Sequence, residues 1–267
     1  MEITGVKSKD GEVLDAYSRN DGNWPFEGES KVMGMPLPKY LEWAAGFGDY
    51  PKKLFLPPIQ RGFVWKPLQI AQLWDSLLRG MPIGSLMVSK LSEGQKAMAV
   101  GAVNRSIEQI HTAAIGLFDG QQRTLAMLLG WNNAQQSDHQ VWIDLGERGV
   151  AGSPFEIRIT TRTQPFGFQR HGHGKLSRHD RREARKNYDK RYPKHEGFRD
   201  FELFEHQQAL PWKAGKSAAL CFSIKELWAA FRAGGDQALE KYVATQFTAQ
   251  STGGGAQAKA NYCKRTC

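Results

Sequence analysis

The chain has 267 residues, of which 40% are hydrophobic and eight are Trp, and its formal net charge is +9. This length and composition predict a globular protein with a sizeable core, built as one large domain or as one domain with part of a second. No apolar run reaches the roughly 18 residues needed to span a bilayer, so we expect no membrane partner. The N-terminus lacks the apolar segment of a secretory signal and there are only three cysteines, so we expect reduced thiols and a cytoplasmic location.

The clearest predicted element is a helix over Lys66–Gly80. Pro67 occupies the first helical position, apolar residues follow at i, i+3, i+4, i+7 and i+8, and Gly80 lies just past the end. Pro57 and Pro58 argue against a central strand in the extended segment before it. The other elements expected in the first 160 residues are a helix over Leu37–Phe47, an extended segment Leu54–Ile59, a buried strand Ile83–Ser89, an exposed loop Leu91–His111, a strand Ile115–Phe118, a helix Gln121–Trp131, and strands Val141–Leu145 and Phe155–Thr160.

Strands cluster in the first part of the chain and helices are expected afterwards, over Ser217–Arg232 and Asp236–Phe247. We therefore predict an α+β fold followed by a mainly helical region. The expected domain organisation is a loosely ordered arm over residues 1–35, an α+β domain over 36–168, a basic and mainly helical region over 169–250 and a disordered tail over 251–267.

The motif FDGQQRT at Phe118–Thr124 lies where a strand is expected to meet a helix. The first turn of a helix presents unpaired N–H groups and partial positive charge, which favour an anion. Arg123 could hold phosphate oxygens, Gln121 and Gln122 could orient a water or contact a base or sugar, and Asp119 could hold a metal ion or act as a weak general base. An equally compatible interpretation is that Asp119 caps the helix and Arg123 pairs with a nearby carboxylate.

The other motif, PPIQRGFVW, lies earlier in the chain, so we call it the first motif and FDGQQRT the second motif. The first motif spans Pro57–Trp65 and places Gln60 and Arg61 before Gly62. By itself it is compatible with a packing motif in which Arg61 forms a salt bridge. Two Gln–Arg pairs brought together could hold a nucleotide.

Together the two motifs, joined by the expected helix and strand over roughly residues 38–165, resemble the N-terminal domain of GmrSD-type restriction proteins. A similar domain occurs in the phosphorothioate-sensing protein SspE, and the domain belongs to the ParB/sulfiredoxin-like superfamily. Both the QR-G-[FY]-x-W and the DGQQR patterns of the family are intact in this chain. The resemblance implies nucleotide binding and hydrolysis at DGQQR, coupled to restriction of foreign DNA.

On this basis the expected site combines two sets of residues with Mg²⁺, which would accompany a nucleoside triphosphate and be held by Asp119. The predicted catalytic residues are Asp119, Gln121, Gln122 and Arg123. The predicted nucleotide-binding residues are Gln60, Arg61, Gly120, Arg123 and Thr124.

A basic tract lies over Arg170–Lys194, where ten Lys and Arg face three Asp and Glu. Concentrated positive charge favours a polyanionic partner, so we expect DNA contacts there, although a solvated face that binds nothing has the same composition. The expected contact residues are Arg178, Arg181, Arg182, Arg185 and Lys186.

Other chemistry has weaker support in the sequence. His171 and His173 lack the partners of an HNH nuclease site, and Cys263 and Cys267 are too few for zinc. A nuclease set drawn from Asp144, Glu156 and Arg158 lacks the usual Lys. In Phe155–Phe168, a hairpin edge with solvated arginines (Arg158 and Arg162) is favoured over a wall of the nucleotide or DNA surface.

Three functions remain compatible with the sequence. The leading one is an NTP-binding and NTP-hydrolysing regulatory domain of a DNA-restricting defence protein. The second is a non-catalytic ParB-like DNA-binding protein that uses the nucleotide only as a switch, and the third is a fragment with no activity of its own. The apolar faces of the C-terminal helices predict self-association or a nuclease partner, without which we expect no DNA cleavage.

Overall fold

The computed structural model describes residues 35–46, 53–58, 62–100, 107–112, 114–131, 138–145, 152–169, 174–205 and 221–251. These residues form the α+β fold that the sequence predicts. The helices are α1 (Leu37–Ala45), α2 (Pro67–Leu78), α3 (Gln121–Leu128), α4 (Arg178–Arg191), α5 (Asp200–Glu205) and α6 (Ile224–Ser251). The strands are β1 (Leu54–Leu56), β2 (Met87–Leu91), β3 (Lys96–Ala99), β4 (Glu108–Gln109), β5 (Ala114–Asp119), β6 (His139–Asp144), β7 (Glu156–Thr161) and β8 (Cys221–Ser223).

The chain folds into two compact units. The first comprises Met1–Val64 and Pro82–Leu128, and the second comprises Trp65–Met81 and Leu129–Cys267. The domain boundaries expected from the sequence stay predictions. The proposed N-terminal arm and C-terminal tail lie almost wholly outside the described residues.

The first unit contains a five-stranded sheet in the order β2-β5-β1-β3-β4. Strand β1 runs parallel to β5, and the other neighbouring pairs are antiparallel. Its three residues, Leu54–Leu56, are all buried. The helices α1 and α3 of this unit pack together, and α1 contributes the buried side chains of Leu41 and Trp43.

Three expectations for this sheet were wrong. Strand β1 is central, because pairing ends at Leu56, before Pro57 could interrupt it. The expected loop over Leu91–His111 contains β3 and β4, whose short strands show no period in the sequence. The expected buried strand Ile83–Ser89 begins only at Met87 and is largely exposed, because β2 lies at an edge of the sheet.

The second unit contains an antiparallel sheet in the order β7-β6-β8, against which α2 and α6 pack. Helix α2 confirms the clearest sequence prediction: Ile70, Leu73 and Trp74 are buried. Pro67 opens the helix, and the Lys66 backbone N–H donates to Oε1 of Gln69 at 2.9 Å.

The C-terminal elements differ in one respect from the prediction. Residues 221–223, expected to be helical, form β8, because their side chains are buried against β6 as a third strand. Helix α6 follows and is interrupted at Gly234 and Gly235, between the two predicted helices. The hydroxyl of Tyr242 donates to Oε2 of Glu226 at 2.5 Å, which joins the two parts of α6.

Strand β7 is an edge strand, but all six of its side chains are buried, which contradicts the solvated Arg158 expected from the sequence. Nη1 of Arg158 lies 3.8 Å from Oδ2 of Asp144, and Asp144 is the register partner of both Glu156 and Cys221. Buried polar side chains fill this part of the unit because they pair with one another. The order of apolar and polar residues along the strand does not reveal such pairing.

The three residues considered for a nuclease set, Asp144, Glu156 and Arg158, therefore do lie together. At 0%, 7% and 7% exposure they are closed to a polymeric substrate, so their arrangement is structural. Burial raises the pKa of the neighbouring Cys221 thiol, and the Asp144 carboxylate raises it further. Cys221 is therefore an unreactive, protonated thiol.

Within the described ranges, no helix combines the length and the apolar composition required to cross a membrane.

Replacing Arg158 with Met should destabilise the protein by about 3–5 kcal/mol, because it leaves buried carboxylates without their cation. The matched control is Arg162→Met just beyond the same strand, where the guanidinium is 51% exposed and pairs with Glu205 at the surface. That change should cost at most about 1 kcal/mol. Denaturant unfolding of both variants measures the difference, and equal losses would contradict the role assigned to Arg158.

Candidate functional site

The second motif forms the junction between β5 and α3, as the sequence predicts. Strand β5 ends at Asp119, and α3 begins at Gln121. Gly120 joins them with a φ of 89°, a left-handed conformation that favours glycine. The Thr124 N–H donates to the Gly120 carbonyl at 2.8 Å, so the helix starts directly at this turn.

A β-bulge brings two consecutive side chains of the motif to the surface. Asp119 lies opposite Met87 whereas Leu117 lies opposite Val88, so Phe118 is an extra residue in β5. The first four residues of β5 are buried, but Phe118 and Asp119 are both exposed. Bulges often redirect side chains beside functional sites, and this one presents the Asp119 carboxylate, 66% exposed, to solvent.

Arg123 is fixed at two points. Its Nη2 donates to Oδ2 of Asp119 at 2.9 Å, and its Nη1 donates to the Ile83 carbonyl at 2.8 Å. A Cβ added to Gly84 would lie 2.6 Å from Nη1, so a glycine at this position allows the backbone to approach the guanidinium. The side chain is 19% exposed, and three of its five N–H groups are not used in these two bonds.

Gln122 bonds to the first motif through both ends of its amide. Oε1 accepts from the Val64 N–H at 2.9 Å, and Nε2 donates to the Gly62 carbonyl at 2.9 Å. The two motifs, which are about 60 residues apart in sequence, therefore meet in the first unit.

Thr124 and Gln121 are buried rather than open to solvent. Thr124 is fully buried, and its hydroxyl donates to the Gly120 carbonyl at 3.0 Å and lies 2.6 Å from the Tyr40 hydroxyl. Burial raises the pKa of Tyr40 to about 12, against smaller lowering effects of the Thr124 hydrogen bond and the Arg123 charge. Gln121 is 5% exposed.

The predicted nucleotide-binding residues Gln60 and Arg61 lie outside the described residues, as do His171, His173, Cys263 and Cys267, for which the sequence offers only weak support as a nuclease or zinc site. Tyr40, Ile83 and Gly84, which support the motif from two other segments, were not predicted from the sequence. Gly84 was the one detectable signal, because a glycine inside a predicted strand often marks a close backbone approach.

A multidentate protein cage for a metal ion is not part of this site. In the described portion of the chain, no group of three or more His, Cys, Asp or Glu side chains is arranged to hold a metal. Mg²⁺ commonly uses only one or two carboxylates together with substrate phosphates and water, so a single exposed Asp119 is compatible with that ion.

The family model of the GmrSD restriction endonuclease N-terminal domain matches residues 46–243. The chain belongs to this family. This match confirms the resemblance inferred from the two motifs. The GmrSD-type domain is therefore a component of a restriction protein. No curated protein matches the chain.

In the second unit, the GmrSD-type domain carries its basic tract on α4. Ser177 caps this helix: its Oγ accepts from the Asp180 N–H at 3.1 Å. Ala184 and Tyr188 on one face pack into a cluster with Phe166, Leu176 and Leu203. Beside this cluster lies a groove of about 670 Å³, which Phe166 and Leu176 also line. Its basic lining comes from Arg178, Arg181, Arg182, Arg185 and Lys186, and its acidic lining from Asp189, Glu196 and Asp200.

The five basic residues are not equivalent. Arg178, Arg181, Arg182 and Lys186 are exposed, whereas Arg185 is half-buried. Nε of Arg185 donates to Oδ1 of Asp189 at 2.9 Å, and its Nη1 donates to the Phe198 carbonyl at 2.5 Å. Arg185 therefore fastens the segment after α4 to the helix, and only the other four present their charge freely to a partner.

Ring stacking secures the same segment. The His195 ring lies 4.9 Å from Phe198 at an interplanar angle of 13°, and 5.8 Å from Tyr192 at 20°. The Tyr188 hydroxyl lies 2.8 Å from Nδ1 of His195. Together with Arg185 these contacts hold one wall of the groove in place.

Replacing Gly84 with Ala should displace the Arg123 guanidinium from the Ile83 carbonyl. The control is Gly94→Ala, because Gly94 has the same φ of 83° but nothing within 4 Å of an added Cβ. Both variants should lose about 1 kcal/mol from the positive φ, and Gly84→Ala should lose about 1.5 kcal/mol more from the charge-assisted hydrogen bond. Thermal unfolding of the pair measures this difference, and identical shifts would show that Arg123 adjusts without loss.

Proposed function

We propose that this domain binds and hydrolyses a nucleoside triphosphate and thereby regulates a DNA-restricting defence protein. Asp119 would hold Mg²⁺ or the attacking water, and Arg123 with the first-turn N–H groups of α3 would contact the phosphates. Gln60 and Arg61 of the first motif would complete the pocket. The location would be cytoplasmic, and the fold would be of the ParB/sulfiredoxin-like type.

The observation that carries this proposal is the exposed Asp119 carboxylate, aligned by Arg123 at the start of α3. An ion pair with one exposed partner contributes little to stability, about 0–1 kcal/mol, so a ligand can separate Asp119 from Arg123 at small cost. Neutralising Asp119 with Mg²⁺ would also release the Arg123 Nη2 hydrogen bond for a phosphate oxygen, so metal and phosphate would bind together.

We assign the predicted site residues to roles by their exposure. Asp119 and the N–H groups of Arg123 outside its two hydrogen bonds would be nearest to a ligand in solvent. Gly120, Gln121 and Thr124 would support the site from within, because all three are buried. Their contribution would be to the shape of the first helical turn rather than to a direct contact.

A DNA contact on α4 is the second part of the proposal. It is supported by four exposed basic side chains on one groove of the second unit. The same observation favours the alternative function, a non-catalytic DNA-binding protein in which the nucleotide acts only as a switch. Self-association or a nuclease partner would supply the cleavage activity.

Asp119→Asn should lower turnover of nucleoside triphosphates by about 100-fold or more, the range expected for loss of a metal-bound or water-activating group. Asn retains an oxygen that can accept from Arg123, so nucleotide binding should weaken less than about tenfold. Phosphate release and nucleotide titration on the purified chain measure both quantities. Chelation of divalent cations should reduce wild-type turnover equally.

The matched control is Glu93→Gln, which removes one exposed carboxylate from the turn after β2 in the same unit and should leave turnover unchanged. Normal hydrolysis by Asp119→Asn would reject the assignment of the active site. Nucleotide binding without any wild-type turnover would favour the switch function instead.

Replacing Arg181, Arg182 and Lys186 together with Ala should weaken duplex DNA binding. The salt dependence of binding should also fall, by about 0.9 in slope for each phosphate that the protein no longer neutralises. Arg185→Ala should instead lower the unfolding temperature and leave the slope nearly unchanged, because Arg185 bonds to Asp189 and Phe198. Fluorescence anisotropy at several salt concentrations measures the slopes. An unchanged slope in the triple variant would make α4 a solubilising face only.

A further inference from the structure

Gln122 has a structural arrangement that its expected catalytic role does not require. Its single amide accepts from the Val64 N–H and donates to the Gly62 carbonyl, both at 2.9 Å. These are the two backbone groups that a neighbouring strand would bond in a sheet. The side chain of Gln122 thus replaces a strand along the segment Gly62–Val64.

The side chains at the two bonded positions bury little apolar surface, because Gly62 has none and Val64 is 57% exposed, whereas Phe63 between them is partly buried. The two hydrogen bonds of Gln122 contribute about 1–3 kcal/mol in total, which is enough to favour one position of the backbone at Gly62 and Val64.

The other end of this connection is rigid. The residues after Gln122 on the same helical turn are Arg123, which bonds to the Ile83 carbonyl, and Thr124, whose hydroxyl lies 2.6 Å from that of Tyr40. The segment Gly62–Val64 is therefore bonded to a helical turn that is itself held at two other places. Arg61 directly precedes Gly62 in the chain.

We propose that Gln122 is a positioning residue that couples the first motif to the second and takes no part in the chemical step. It acts through the backbone of Gly62 and Val64, which directly follow Gln60 and Arg61 in the sequence. An amide that turned toward a water or a phosphate would release this segment. The inference rests on the proposed nucleotide site for its functional part, but its structural part can be tested without a nucleotide.

Two substitutions separate the halves of the amide. Gln122→Met keeps the length of the side chain and removes both bonds, whereas Gln122→Glu keeps the acceptor for Val64 and places a second acceptor against the Gly62 carbonyl. Gln122→Met, which removes the acceptor, should accelerate hydrogen exchange at the Val64 amide by at least about fivefold, the effect of losing roughly one hydrogen bond. Gln122→Glu, which keeps this acceptor, should accelerate the exchange less. Gln72→Met, at an exposed position on α2, is the control and should leave this exchange unchanged.

The nucleotide arm distinguishes positioning from catalysis. Loss of positioning should raise the KM for nucleoside triphosphate by about tenfold with a smaller change in kcat, because Arg61 no longer meets the phosphates. In the Arg61→Ala background, Gln122→Met should have almost no further effect on KM, since the two residues act as one unit.

Unchanged exchange at Val64 in Gln122→Met would overturn the proposal. A fall in kcat alone, additive with Arg61→Ala, would overturn it as well, because it would make Gln122 part of the chemistry. Absence of wild-type turnover would reject the proposed function instead, and in that case the exchange measurement still decides whether Gln122 holds the first motif.

Discussion

The first turn of α3 is the constraint on which the rest of the first unit depends. Three consecutive side chains leave it in three directions: Gln122 bonds to the backbone at Gly62 and Val64, Arg123 to Ile83, and Thr124 to Tyr40. One helical turn therefore fixes three segments that are distant in sequence. These hydrogen bonds explain how an exposed motif can hold one position even where little apolar surface is buried beneath it.

The sequence predicts those elements of the fold in which a single periodicity of hydrophobic residues dominates. Helix α2 and the strand–turn–helix around Gly120 were located correctly, because their hydrophobic spacing and glycines act locally. Strand β8 and the buried face of β7 were not, because their burial depends on partners far along the chain. Arg158 and Asp144 look like surface residues until the sheet brings them together.

The candidate site shows the same limit at the level of single atoms. The sequence supplied the residue types of DGQQRT and their place at a helix start. It could not tell which polar atoms face solvent and which bond to the backbone: Asp119 faces solvent, Thr124 is buried and Gln122 is bonded to the first motif. On α4, the charges of Arg181 and Arg185 look alike in sequence, yet only Arg185 bonds to Phe198.

The bulge at Phe118 divides strand β5 into a buried part and an exposed part, and substitutions in the two parts have different effects. From Ala114 to Leu117 every side chain is enclosed, so a change there acts on folding. At Phe118 and Asp119 the side chains face water, so a change there alters what the surface can bind while the core keeps its register. A single additional residue thus allows the exposed surface to vary independently of the buried core within one six-residue strand.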